Sequence, residues 1–165
     1  MDATPLLAEI GRHLAEISLE AVLIGNAAAA LQGAPVTTAD FDFMFRRTSR
    51  NIAKLKALTL RLGATLLRPY YPASDLFRIV RDDDGLQVDF MGTIHGIRSF
   101  EGVRDRASVV EIDSVPILVA SLPDVIRSKR AAGRPRDHAV LEVLEKSLVQ
   151  TANAKREARR ARKRK

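Results

Sequence analysis

The chain has 165 residues, 46% of them hydrophobic and 28% charged, which is the size and composition of one soluble globular domain with a real core. It contains no cysteine, so disulfides, thiolate zinc sites and a cysteine nucleophile are excluded. The net charge of +7 is unevenly placed: eight basic residues and one glutamate fall within 151–165, leaving nineteen of each sign in 1–150.

Residues 1–150 therefore read as a neutral body, and 151–165 as a basic tail. A block of like charge repels itself and is expected to be disordered until it meets a polyanion, either nucleic acid or no specific partner at all. No apolar run approaches the ~20 residues needed to span a bilayer, so no membrane association is expected. The N-terminus lacks the basic and apolar regions of a signal peptide, and a cytoplasmic location is the expectation.

Leu6, Leu7, Ile10, Leu14 and Ile17 recur at helical spacing and predict an amphipathic first helix, packed on the body as a lid. Ala21-Val22-Leu23-Ile24 reads as a strand, Gly25-Asn26 as a tight turn, and Ala27 to Leu31 as a short helix stopped by Gly33 and Pro35. The next run, Asp40-Phe41-Asp42-Phe43-Met44-Phe45, alternates with period two. It places three phenylalanines on one face of a strand and two carboxylates on the other.

Thr48 or Ser49 can cap a following helix whose apolar stripe is Ile52, Leu55, Leu58 and Leu62, with Gly63 at its end. Strand character returns over 64–68, and Tyr70-Tyr71 between two prolines suits a loop anchor or, less simply, a base-stacking platform. Leu76–Arg81 and Leu86–Met91 flank Asp82-Asp83-Asp84-Gly85, a hairpin in which Gln87, Asp89 and Met91 share the polar face. Val115–Val119 predicts a last strand, followed by helices over Leu122–Ala132 and 135–148 separated by Gly133. A mixed sheet with helices against it is the economical architecture: an α+β (mixed α/β) single domain without internal repeats.

Chemistry concentrates at Asp40 and Asp42. Carboxylates at i and i+2 of a strand project side by side, and short hard-oxygen ligands of this kind suit Mg2+ or Mn2+, whose coordination nucleotide phosphates then complete. The Gly25-Asn26 turn shortly before them joins a strand to a helix N-terminus, where backbone amides can receive phosphate. His13, His95 and His138 are scattered without metal-ligand spacing and read as structural or exposed.

The run Leu23-Ile24-Gly25-Asn26-Ala27-Ala28, Gly33 and Thr38-Ala39-Asp40-Phe41-Asp42 resembles the signature of the polymerase-beta-like nucleotidyltransferases, nearest to their minimal and AbiEii-type branch. Asp89, in Gln87-Val88-Asp89-Phe90, matches the third carboxylate of that pattern. Ser128-Lys129-Arg130, continuing to Gly133-Arg134-Pro135-Arg136-Asp137, matches its closing Lys and Arg-Pro-x-Asp segment. The similarity spans roughly residues 20 to 148.

The resemblance implies the nucleotidyltransferase fold, with Asp40, Asp42 and Asp89 as metal ligands and catalytic groups, and with Gly25, Asn26, Thr38, Lys129 and Arg134 at the nucleoside triphosphate. It implies metal-dependent transfer of a nucleoside monophosphate to an acceptor hydroxyl. RNA, above all a tRNA end, is favoured by the basic tail and by the toxin-like branch, whose members work beside a cognate protein partner. The sequence departs from the pattern at Asn26, where the family turn carries Gly or Ser. That departure leaves open a second reading, a catalytically retired module that binds RNA or a partner. The equal local reading of Lys129, Arg134 and Asp137 is an exposed helix pair with a salt bridge.

Overall fold

The computed structural model describes residues 4–38, 40–67 and 75–162. The Tyr70-Tyr71 loop, Ala39, Arg68 and the three residues at either end lie outside these. In chain order the elements are α1 (Thr4–Glu16), β1 (Ala21–Ile24), α2 (Gly25–Leu31), β2 (Phe41–Phe45), α3 (Ser49–Arg61), β3 (Thr65–Leu67), β4 (Leu76–Arg81), β5 (Leu86–Met91), α4 (Phe100–Arg106), β6 (Ser108–Ile112), β7 (Val115–Val119), α5 (Leu122–Ala132) and α6 (Pro135–Arg162). The seven strands form one mixed sheet in the order β3-β4-β5-β2-β1-β7-β6. β2 runs parallel to β5 and β1 parallel to β7, while the remaining neighbours are antiparallel.

The period-two pattern of β2 works as its sequence demands. Phe41, Phe43 and Phe45 are all buried. Phe43 stacks on Phe90 of β5 with ring centroids 5.3 Å apart, and Phe45 meets both Phe90 and Phe77 edge-on. Such pairs add to plain area burial and tie β2 to the β4–β5 hairpin. The opposite face of β2 is thereby free to carry Asp42.

Local signals set the helix ends. The Thr48 hydroxyl accepts a hydrogen bond from the Asn51 amide and caps α3, and Ser121 does the same for α5 through Asp124. Gly133, with φ +59°, takes the left-handed position that closes α5.

α1 packs on the body, as its amphipathic stripe predicts, and covers one face of the sheet. Leu7, Ile10 and Leu14 are buried, and Gly11 lies so close to Ile117 that a β-carbon there would overlap it. Arg81 secures the same helix from the side, donating to Glu9, to Asp84 of the hairpin turn and to the Leu62 carbonyl at the end of α3. Ile117 and Val115 share the sheet face of the phenylalanines, as the pairing of Leu23 with both Val119 and Phe43 requires. α1 thus covers the face turned away from the carboxylates, because its apolar stripe is wide enough to need a full sheet face.

Two further differences concern the C-terminal half. α6 does not stop at Leu148 but runs on to Arg162, so 151–162 is helical, where a disordered segment is expected from charge alone. Ala, Gln, Lys, Arg and Glu are strong helix formers, and they continue a helix already nucleated on the body. β6 joins β7 through Asp113 and Ser114, with φ of 49° and 63°, a two-residue turn of the kind that matches strand twist.

The aromatic ladder makes a direct stability prediction. Phe43→Ala should lower the unfolding free energy by about 3–5 kcal/mol, whereas removing the α3 cap with Thr48→Ala should cost about 1 kcal/mol. Urea unfolding of both variants checks the ranking; equal losses would show that the ladder is not what unites β2 and β5.

Candidate active site

Strand register builds the site. Ile24 of β1 pairs with Asp42 of β2, Asp42 with Asp89 of β5, and Asp89 with Arg78 of β4. These four side chains therefore form one row across four strands on one sheet face. Asp40 sits just before β2, and one carboxylate oxygen from each of Asp40, Asp42 and Asp89 lies within 4.8 Å of the others.

The surroundings of the three carboxylates differ. Asp89 is only 4% exposed and receives both arms of Arg78, at 2.8 and 2.7 Å. This fork is the strongest geometry for a guanidinium and a carboxylate, and it holds the plane of Asp89 fixed. Its charge and hydrogen bonds raise the pKa of Arg78 further above its ordinary value. Asp40 takes a 3.2 Å hydrogen bond from the Thr38 hydroxyl and lies 3.4 Å from the Gln87 amide nitrogen. Asp42 has no such fork. Its carboxyl is pushed up to about 6, first by burial and then by the charges of Asp40 and Asp89, against opposing pulls from Lys129 and Arg78.

Gly25 is required by its position on two counts. Its φ is +70°, and a β-carbon would stand 2.6 Å from Asp42 Oδ2. Any side chain there would fill the space over the carboxylates. Asn26, next along, donates from Nδ2 to the Thr37 carbonyl at 3.3 Å, and its Oδ1 is buried with no hydrogen-bond partner.

The opposite wall comes from the junction of α5 and α6. Ser121 caps α5 through Asp124, which is buried and held by Arg106 at 2.9 and 2.8 Å. Lys129, in the last turn, lies 3.4 Å from Asp137 in the first turn of α6. Both side chains are largely buried, so this is an interior pair and not the exposed one considered from sequence. Asp137 Oδ2 has no partner.

Together these elements enclose a cavity of about 810 Å³, whose lining includes Gly25, the three aspartates, Arg78, Lys129 and Arg134. Its volume is that of a small-molecule site. Asn26 and Thr38 are not among the lining residues; Thr38 acts on the site through Asp40. Arg78, Gln87, His95 and Arg136 also line it and were not singled out for the site in the sequence. His95 lies 3.3 Å from Arg134. The signal that could have found Arg78 is its place in the hairpin, where the register of a four-residue turn sets it opposite Asp89.

Three carboxylates in one cavity, faced by Arg78 and Lys129, can hold a divalent cation and a polyphosphate together. The donor set is all oxygen, as Mg2+ and Mn2+ require, and the raised pKa of Asp42, due first to burial and then to its two carboxylate neighbours, shows that its ionised form lacks a full partner within the protein.

No family model matches the sequence, and no curated protein matches it significantly. Among solved structures, the antibiotic-resistance factor ANT(2'')-Ia is similar over 98% of this chain and 94% of its own, at 17% identity and a TM-score of 0.63. A proposed nucleotidyltransferase of Thermotoga maritima is similar over 88% and 92%, at 21% identity and a TM-score of 0.60. The lincosamide antibiotic adenylyltransferase LnuA is similar over 80% and 89%, at 12% identity and a TM-score of 0.57. The chain has the nucleotidyltransferase fold, a mixed sheet packed against helices in one domain.

Proposed function

We propose that the protein is a metal-dependent nucleotidyltransferase that moves a nucleoside monophosphate from a nucleoside triphosphate to an acceptor hydroxyl. The observation that carries this reading is the convergence of Asp40, Asp42 and Asp89 opposite Lys129 in one cavity. The fold is shared with adenylyltransferases, and the two agree.

In this reading Asp40, Asp42 and Asp89 hold Mg2+ or Mn2+. A divalent ion at such a site neutralises triphosphate charge and favours the ionised form of a hydroxyl. Lys129, with Arg134 at the cavity edge, binds the phosphates, which requires Lys129 to turn from Asp137 toward the cavity. Gly25 leaves the space the phosphates need. Asp89 receives the proton of the acceptor hydroxyl, since the two bonds from Arg78 occupy only part of its acceptor capacity. The acceptor oxygen then bonds to the α-phosphorus as the bond to the pyrophosphate oxygen breaks.

The acceptor is proposed to be RNA, with a tRNA end as the sequence resemblance suggests, and the protein to act in the cytoplasm as a toxin-type enzyme beside a cognate protein partner. Support for a nucleic acid comes from α6. Its 28 residues span ~42 Å, and Arg156, Arg159, Arg160 and Arg162 are exposed along its far end. Among the described residues no helix is long and apolar enough to cross a membrane. The second reading, a non-catalytic module, is favoured by one observation: Asn26, which spends one of its two Nδ2 protons on the Thr37 carbonyl, does not line the carboxylate cavity.

The test is incubation with each labelled triphosphate, Mg2+ or Mn2+, and total RNA. Label should enter RNA with the wild type, and Asp42→Asn should reduce it by at least a hundredfold while the protein stays folded. Metal and nucleotide binding without label in any macromolecule would support the module instead.

Asp42 also makes stability depend on pH when metal is chelated. Its folded pKa of about 6 exceeds the ordinary value of 3.8, so between these the folded state holds more protons than the unfolded chain. Stability contributed by the protonated form is complete below pH 3.8 and lost as pH rises through 6. Wild type should therefore lose up to about 3 kcal/mol relative to Asp42→Asn between pH 4 and 7. Parallel pH profiles of the two proteins in urea unfolding would contradict this.

A further inference from the structure

A second cavity, of about 650 Å³, adjoins the first, and Thr93 and Ile94 line both. The divider is a tight loop in which Ile94 and Ile97 exchange backbone hydrogen bonds of 3.1 and 3.0 Å. Gly96 in this loop lies against Ala131 of α5, where a β-carbon would be 2.7 Å from the Ala131 methyl, so the loop is seated on the helix that carries Lys129. His95 faces the first cavity and Arg98 the second.

The second cavity is basic. Arg98, Arg106 and Arg127 line it, and no acidic residue does. Among the described residues Arg98 and Arg127 form no ion pair. Arg106 is anchored: Nε and Nη2 are taken by buried Asp124, which leaves Nη1 free and fixes its direction. That nitrogen lies over Gly102, 3.4 Å from where a β-carbon would stand, and Ser99 Oγ is equally distant from the same point. Ser99 Oγ accepts from the Gly102 amide and still has its own proton to donate. A glycine thus keeps open a pocket bordered by a fixed guanidinium arm, a hydroxyl and two uncompensated arginines.

We propose that this cavity binds a phosphate of the acceptor's backbone, so that the acceptor is a nucleic acid whose end enters the carboxylate cavity over the Thr93–Ile94 divider. The proposal rests on the nucleotidyl-transfer reading for what happens at that end, but the binding itself does not. Arginines suit this role because the planar guanidinium matches phosphate oxygens in pairs, and a cationic small-molecule acceptor would be repelled by the same wall.

The experiment compares the full chain with the double variants Arg98→Gln/Arg127→Gln and Arg98→Lys/Arg127→Lys. The probes are a single-stranded RNA of twelve nucleotides and inorganic phosphate, titrated over a range of KCl. For wild type the logarithm of RNA affinity should fall linearly with the logarithm of salt. Loss of this phosphate contact should make the slope shallower by about 0.7 and weaken binding severalfold or more at low salt in the glutamine variant, while the lysine variant keeps most of the slope. An unchanged slope and affinity in the glutamine variant overturn the proposal. Inorganic phosphate binding as tightly as the RNA overturns the backbone assignment in favour of a free-phosphate site. Labelled-triphosphate transfer on the same preparations separates the two readings. Wild type that transfers no label, with the glutamine variant still losing RNA, leaves this site standing and removes nucleotidyl transfer. Wild type that transfers label, with the glutamine variant binding and labelling RNA equally, does the reverse.

Discussion

Strand register forces two like charges together. Because β2 and β5 run parallel with Asp42 level with Asp89, neither carboxylate can move away without breaking the ladder that the phenylalanine stack holds on the opposite face. Asp40 adds a third charge. The resulting repulsion is only partly offset. Arg78 satisfies Asp89, and Lys129 pulls on Asp42 from across the cavity, yet burial first and the neighbouring charges second push Asp42 up to about 6. A cluster with this much uncompensated charge is what a site for a small, highly charged cation needs, and the remainder of the domain can be understood as the frame that keeps it in place.

That frame has two sides with different duties. On the phenylalanine face, α1 and the core beneath it stabilise the sheet, with Arg81 joining α1, α3 and the β4–β5 turn. On the carboxylate face, the junction of α5 and α6 brings cations. Asp124, buried and capped by Ser121, has a double role: it fixes the start of α5 and locks Arg106 into the neighbouring basic cavity. One helix therefore presents Lys129 to the acidic cavity and borders the basic one, so a polyphosphate and a polyanionic acceptor would meet on either side of a single loop.

Much of this was legible in the residues. The alternation in β2, the turn residues of the β4–β5 hairpin, the Thr48 cap and Gly133 are short-range signals, and short-range physics decides them. The approach of Asp89 to Asp42 could be anticipated only because both fall on polar strand faces and because the motif order resembles a known family. What escaped depends on long-range pairing or on context. Arg78 is an ordinary strand arginine until the register places it opposite Asp89. β6 buries only Ile112, with Val110 partly covered and Val109 exposed, so its alternation is weak, and its Asp113-Ser114 turn lacks the glycine that usually marks such hairpins. The amphipathicity of α1 tells that this helix covers the body, and the contact of Gly11 with Ile117 adds which sheet face it covers. The helical course of 151–162 reflects the helix propensity of residues whose like charge alone points to disorder.

The central claim is that the crowded aspartates are a cation site and not a strained structural cluster. Its most direct test is Mn2+ titration of the full chain at pH 7.5 with a non-hydrolysable nucleoside triphosphate, following free Mn2+ by electron paramagnetic resonance. The account predicts saturable Mn2+ binding by wild type, strengthened by the nucleotide, and weakened at least tenfold in Asp42→Asn although that variant is no less stable in chelator. Folded wild type that binds no Mn2+ beyond what the nucleotide itself carries, or an Asp42→Asn protein that binds it equally well, would contradict it.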